Sequence, residues 1–149
     1  MSKQVTVIGA GLAGCEAAWQ LASRGIPVAL YEMKPACHSP AHHMNGFAEL
    51  VCSNSLKAEH LTNASGLLKA EMKLLNSLIL SAAEKTRVPA GGALAVDRDR
   101  FSEAVTEAVS SHPLITIHRE RVDAIPGDPA ILLVGNMASD EAIAAMRTK

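Results

Sequence analysis

The chain has 149 residues, of which 14 are basic and 15 acidic, and 48% of it is apolar. That much apolar surface builds the core of one ordinary domain and excludes a disordered tail. A net charge of −1 argues against a free-standing nucleic-acid binder, so an RNA partner would have to be attracted mostly by something else.

Val5-Thr6-Val7-Ile8 is a short apolar run ending at Gly9, the mark of a buried strand. Leu12 to Ser23 reads as a helix with small residues on its early face, closed by Arg24-Gly25. Pro27 to Glu32 is the second strand. Residues 33–63 then run long without clear periodicity and carry Pro35, Pro40, Asn45, Gly46, Asn54 and Asn63. A loop of that length inserted after a strand is expected to be functional. From Ala64 to Lys85, Leu68, Met72, Leu75, Ile79 and Ala82 recur at steps of four and three, which predicts one amphipathic helix. Pro89 and Gly91-Gly92 make Val88 to Ala95 turn-rich. A helix is expected to start near Arg100, capped by Asp97 or Asp99, and to end before Pro113. Leu114 to His118 and Ala130 to Val134 read as strands, and Ser139 as the cap of a last helix reaching Met146.

The scarcity of aromatics, 3% of the chain, points to an aliphatic core such as a parallel sheet covered by helices. Cys15, Cys37 and Cys52 are odd in number and irregularly spaced, so they imply neither a disulfide framework nor a paired zinc site. The N-terminus lacks the apolar stretch of a signal peptide, and no run approaches the length of a membrane span. A reduced, cytoplasmic protein without membrane contact is expected, with its oligomeric state left open.

Gly9-Ala10-Gly11-Leu12-Ala13-Gly14 is GxGxxG, which alone is a weak signal. Here it follows a strand, opens a helix, and precedes Glu32 at the end of the next strand. In that setting Gly9 allows a tight turn, Gly11 lets the backbone approach a pyrophosphate, and Gly14 lets helix and strand pack closely. The helix N-terminus supplies free N–H groups and partial positive charge to the phosphates. Glu32 can accept hydrogen bonds from the adenosine ribose and would repel a 2′-phosphate, which disfavours NADP at this turn. The turn does not by itself separate FAD from NAD. Cys15, next in line, reads as a small buried packing residue.

Cys52 stands beside Ser53, Asn54 and Ser55, whose groups could donate to a thiolate and make it a nucleophile. An inert buried cysteine is the competing reading. Cys37, His38, His42 and His43 form a poor metal site, lacking a second cluster, and no metal is expected. Arg87, Arg98 and Arg100 are either solvated flanks or contacts for phosphate.

Residues 7–22, Tyr31 to Pro35, Ser39 to His42, Phe47 to Leu56 and Val88 to Arg98 together resemble the bacterial folate- and FAD-dependent tRNA (uracil-5-)-methyltransferases, the TrmFO family. The glycine turn and its Cys-Glu also resemble flavoenzymes that modify the wobble uridine. The 47–56 and 88–98 blocks are what separate the two groups. The resemblance implies an α/β, Rossmann-like FAD-binding domain, with a parallel sheet carrying helices on both faces and incomplete relative to the full family. It implies that FAD is held by Gly9 to Gly14 and Glu32, that methylenetetrahydrofolate and NAD(P)H are co-substrates, and that a T-loop uridine of tRNA is methylated at C5. C5 of uracil becomes nucleophilic after a thiolate adds at C6, and Cys52 matches a family cysteine implicated in catalysis. Whether it attacks uracil, moves a proton or shields the flavin is left open.

The chain departs from the family at Ile131 to Ser139, where Val134 and Asn136 replace the usual Thr and Pro. A second family cysteine would lie beyond residue 149, so the resemblance implies an N-terminal portion that is not catalytic alone. A nucleotide-binding module without chemistry is the alternative for the chain as it stands.

Overall fold

The computed structural model describes residues 4–124, 126 and 129–133. Four parallel strands form the main sheet: β1 (Val5–Ile8), β2 (Val28–Tyr31), β6 (Ile115–His118) and β7 (Ala130–Leu132), in the order β6-β2-β1-β7. Between them come α1 (Leu12–Ala22), β3 (Ser55–Ala58), α2 (Ala64–Leu74), α3 (Leu78–Lys85), β4 (Arg87–Val88), β5 (Ala93–Val96) and α4 (Arg98–Ser111). The architecture is α/β and Rossmann-like: the strands step outward from β1 through β2 to β6, and the chain then crosses back to β7 on the other side of β1, where the strand order reverses. Ligands of such sheets bind outside the strands' carboxyl ends at that switch point.

Helix α1 forms because its alanines and small residues cost little to order, and Gly14, Cys15, Ala18 and Ala22 present one small-residue stripe to the sheet. It ends at Gly25, whose φ of 79° suits glycine; Gly25 N–H donates to Ala22 O and Ile26 N–H to Leu21 O. The crossovers through α1 and α4 step the same way along the sheet, so right-handedness places both helices on one face. They touch there, with the Trp19 ring edge-on to His112 and α3 against both helices. Val7, Val28, Leu30 and Ile115 from the sheet, Phe101, Val105 and Val109 from α4, and Ile79, Ala82 and Ala83 from α3 make a core that is mostly aliphatic, with Phe47 and Phe101 its largest buried side chains.

The helix expected over 64–85 is two helices. Asn76 takes a φ of 56°, which asparagine tolerates better than most residues, and Ser77 then caps α3 by accepting Leu80 N–H. Glu16 of α1 completes the break: its carboxylate accepts Ser77 Oγ–H at 2.8 Å and Ile79 N–H at 3.0 Å. The start of α3 is thereby satisfied, Gln20 of α1 donates to Leu75 O at the end of α2, and the predicted stripe is split. Leu68 and Leu75 end up 56% and 60% exposed, whereas Ile79 and Ala82 are buried.

The stretch 33–63 is not all loop, because Ser55–Ala58 pairs as β3 with β5. Residues 88–95 turn as expected at Pro89 to Gly92, but both ends are strands, β4 and β5. Of the two candidate caps on α4, Asp97 is the one used. It accepts the N–H groups of Asp99 and Arg100 at 3.1 Å each, so α4 begins at Arg98. The strand expected to reach Val134 pairs with β1 through Leu132. Val134 itself, Gly135 to Ser139 and the helix expected to Met146 lie outside the described residues. No helix among the described residues is long and apolar enough to cross a membrane.

Candidate functional site

The glycine turn leaves the carboxyl end of β1 and opens α1. Gly9 has a φ of 98° and anchors the turn by donating its N–H to Tyr31 O at 2.8 Å. A Cβ on Gly14 would sit 1.7 Å from Gly9 O, so helix and turn are as close as two backbones come. At Gly11 the situation is opposite: among the described residues nothing lies within 4 Å of where a Cβ would be. Gly11 and Ala13 are exposed, and Leu12 is half-buried. The first turn of α1 has no acidic residue and no side-chain cap among the described residues. Open space before an uncapped helix N-terminus fits a pyrophosphate.

Ala10 faces inward, 1% exposed, with both backbone groups committed. Its N–H donates to Glu32 Oε2 at 2.8 Å, and its carbonyl accepts Ala48 N–H at 2.9 Å and the Cys15 thiol at 3.3 Å. Ala10 therefore shapes the turn from within. Glu32 is 8% exposed and also accepts Lys34 N–H at 3.0 Å through its other oxygen. Each carboxylate oxygen has one bond and capacity for a second, which two ribose hydroxyls would fill.

Cys15 is wholly buried, as its packing reading required. Burial, reinforced by the Glu32 charge, pushes its thiol up to about 12 from 9.0. The unfolded chain loses this proton above pH 9 and the folded chain holds it, so stability present below pH 9 is lost as pH rises toward 12. The expected slope is about 1.4 kcal/mol per pH unit. Denaturant melts at pH 8 and 10 should show that fall in the native chain and its disappearance in Cys15→Ala; equal falls in both would discard the assignment.

Cys52 is exposed, which answers against the inert buried reading. The three neighbours expected to donate to its sulfur are otherwise engaged. Asn54 gives its amide to Val96 O at 3.1 Å, Ser53 Oγ accepts Ser55 N–H, and Ser55 Oγ accepts Lys57 N–H. The two hydroxyls accept there and keep their O–H groups to donate, and among the described residues no hydrogen bond from these side chains reaches the Cys52 sulfur.

Several residues that bind this region together gave no pattern in the sequence. Lys34, 4% exposed, donates from Nζ to Gly46 O at 2.7 Å and lies 3.5 Å from Glu49 Oε2. Burial alone would raise the Glu49 carboxyl, but the N–H groups of His43 and Met44 and the charge of Lys34 bring it below its ordinary value. Arg119, just past β6, stacks 4.1 Å over the Phe47 ring and donates to the carbonyls of Lys34 and Asn45. A basic residue at the carboxyl end of a sheet strand was the available signal.

Arg87 is tied to Glu59 and Glu84, whereas Arg98 and Arg100 are exposed on α4. His38 pairs with Asn45 and His42 with Ser39, while Cys37 is exposed. Among the described residues no three such side chains gather to hold a metal. The two sequence blocks at 47–56 and 88–98 do come together. Asn54 and Val96 exchange hydrogen bonds, and Ser55 and Ala58 of β3 face Ala95 and Ala93 of β5.

Comparison with known proteins matches this arrangement. The chain is 59% identical over 140 residues to the methylenetetrahydrofolate--tRNA-(uracil-5-)-methyltransferase TrmFO of Enterococcus faecalis, covering 94% of this chain and 32% of that protein. Identity to the TrmFO of Exiguobacterium sibiricum is 61% over 137 residues, 92% of this chain and 32% of that one. For Geobacter sulfurreducens TrmFO it is 56% over 144 residues, 97% and 33%. The chain thus spans about a third of the length of these relatives, whose name is that of the family its sequence resembles. The crystal structure of Aquifex aeolicus GidA (form II) superposes with a TM-score of 0.65 at 20% identity, over 84% of this chain and 20% of that one, which shows the shared fold. A family model described as Glucose inhibited division protein A matches residues 4–145, from before β1 to beyond β7, and the chain belongs to that family.

Proposed function

We propose that this chain is the dinucleotide-holding portion of a methylenetetrahydrofolate- and FAD-dependent tRNA (uracil-5-)-methyltransferase. The observation that carries the reading is the turn itself: open space at Gly11, an uncapped α1 N-terminus and a buried Glu32 beside it. The turn from Gly9 to Gly14 holds the pyrophosphate on the free N–H groups at the start of α1, with Gly9 and Ala10 setting its shape, and Glu32 takes the ribose hydroxyls. FAD, when bound, supplies the reducing equivalents that turn a methylene unit into a methyl group, and NAD(P)H restores them. Cys52, exposed where a polynucleotide can reach it, supplies the thiol that uracil chemistry at C5 requires. The segment 33–63 that carries Cys52 is the functional insertion, and the enzyme works on tRNA in the cytoplasm.

Titration with FAD and with ADP, followed by flavin absorbance and by calorimetry, tests the turn. Binding of both supports the reading. Binding of ADP to a chain that stays colourless would favour a module that grips only the adenosine half. Failure to bind either would remove the dinucleotide. Methyl transfer by the longer protein containing this chain, to tRNA lacking the T-loop methyl group, tests Cys52. Activity unchanged in Cys52→Ala would take it out of the chemistry.

A further inference from the structure

Cys52 lies on a bridge of three exposed residues, Val51 to Ser53, between buried Leu50 and half-buried Asn54. Both ends of that bridge are fastened to the same continuous piece of chain, β5 and α4. Downstream, Asn54 is locked to the last residue of β5: its amide donates to Val96 O at 3.1 Å, and Val96 N–H donates to Asn54 O at 3.0 Å. Upstream, Phe47 is held by two hydroxyls one turn apart on α4. Thr106 Oγ1 accepts Phe47 N–H at 2.8 Å, and Ser102 Oγ, in a residue 1% exposed, donates to Phe47 O at 2.6 Å. Thr106 also donates to Ser102 O at 2.7 Å, which fixes the direction of its lone pair.

The fit is close. A Cβ on Gly46 would fall 2.5 Å from Ser102 Oγ, so the loop backbone lies directly on the helix. Two residues on, Ala48 is fully buried at a φ of 50°, an uncommon conformation for a residue with a side chain, and its N–H reaches Ala10 O of the glycine turn. Leu50 then enters the core, and Glu49 takes His43 N–H and faces Lys34. The length from Gly46 to Leu50 is thus pinned between α4 and the turn, leaving only the bridge free.

We infer that Ser102 and Thr106 are positioning residues: with Asn54 and Val96 they make β5–α4 a rigid mount that sets where Cys52 stands relative to the glycine turn. The purpose of the mount rests on the reading above; its existence does not. Helix α4 suits the task because Phe101, Val105 and Val109 bury the adjacent stripe in the core and Asp97 caps its start. A thiol carried on a loop gains the precision of the scaffold in this way.

Nitroxide labelling of the whole chain tests the mount. Cys15 is buried, so a label on Cys52 in a Cys37→Ser background, or on Cys37 in a Cys52→Ser background, reports one site. Thr106→Val should shorten the correlation time of the Cys52 label on the order of threefold, as a loop freed at one end moves on the nanosecond scale. The Cys37 label should not change, and Thr106→Ser should restore the native spectrum. Asn54→Ala, which frees the other end without touching α4, should loosen Cys52 likewise. Native Cys52 spectra in both Thr106→Val and Asn54→Ala would overturn the inference, as would equal loosening of the Cys37 label, which would mean general slackening. An ADP titration of the unlabelled chain separates the issues. No binding would sink the dinucleotide reading while the label comparison still decides the mount.

Discussion

Replacing Gly14 with alanine should unfold the domain or cost it more than about 3 kcal/mol, a large part of the 5–15 kcal/mol that typically holds a domain. The added Cβ would lie 1.7 Å from Gly9 O and 2.9 Å from Gly9 C, both backbone atoms in the turn. Neither partner can yield. Gly9 is tied to Tyr31 O, and α1 is seated through Cys15, Ala18 and Ala22, all buried. Gly11→Ala is the informative contrast. Its φ of −72° and ψ of −171° suit any residue, and its Cβ would meet only open space, so the fold should keep its melting point. What Gly11→Ala should lose is dinucleotide affinity, by tenfold or more on the order of one misplaced contact. Urea melts and ADP titration of the two variants check the division. A Gly14→Ala chain as stable as the native one would overturn the packing argument, and undiminished ADP binding by Gly11→Ala would move the ligand off the turn.

Glu32→Gln is the second substitution from which a large effect is expected. The carboxylate answers two backbone N–H groups, those of Ala10 and Lys34, in a site that water scarcely reaches. A carboxamide has one oxygen for them and turns an NH2 group toward the other, leaving a buried donor without an acceptor. That costs about 1–3 kcal/mol of stability. The ribose hydroxyls lose a charged acceptor as well, worth about 1.5–3 kcal/mol, so ADP affinity should fall roughly 10- to 100-fold. The bias against a 2′-phosphorylated nucleotide should shrink at the same time, since the repelling charge is gone. Calorimetry with ADP and its 2′-phosphate measures both, and unchanged affinities would detach Glu32 from the ligand.

The glycine turn was legible because its requirements are local. Gly9, Gly11 and Gly14 each answer a backbone constraint within a few residues, and strand, turn and helix follow one another without interruption. The split between α2 and α3 was not, because the apolar spacing from Leu68 to Ala82 suits one helix. What breaks it is Glu16, some sixty residues earlier, supplying acceptors to the start of α3. β3 and the ends of the 88–95 turn were hidden for a similar reason: their short strands are stabilised by each other across the chain rather than by their own composition. The donors assigned to Cys52 failed in the opposite direction. Ser53 and Ser55 bond to nearby backbone where a turn offers it, and Asn54 is drawn to Val96 across the chain. Ser102 and Thr106 looked like ordinary helix positions until the fold laid Gly46 and Phe47 across them.

The strand order carries a consequence for how the chain is made. β1 is complete on one side once β2 has emerged, only some twenty residues later, but its other neighbour is β7 at residues 130–132. At synthesis rates of about 5–20 residues per second, that edge of β1 waits roughly 5–20 s for its partner. During that interval its unpaired N–H and C=O groups are a template for other extended chains. A strand that sits inside the finished sheet is therefore an open edge of the nascent chain, and β7 is the strand that closes it.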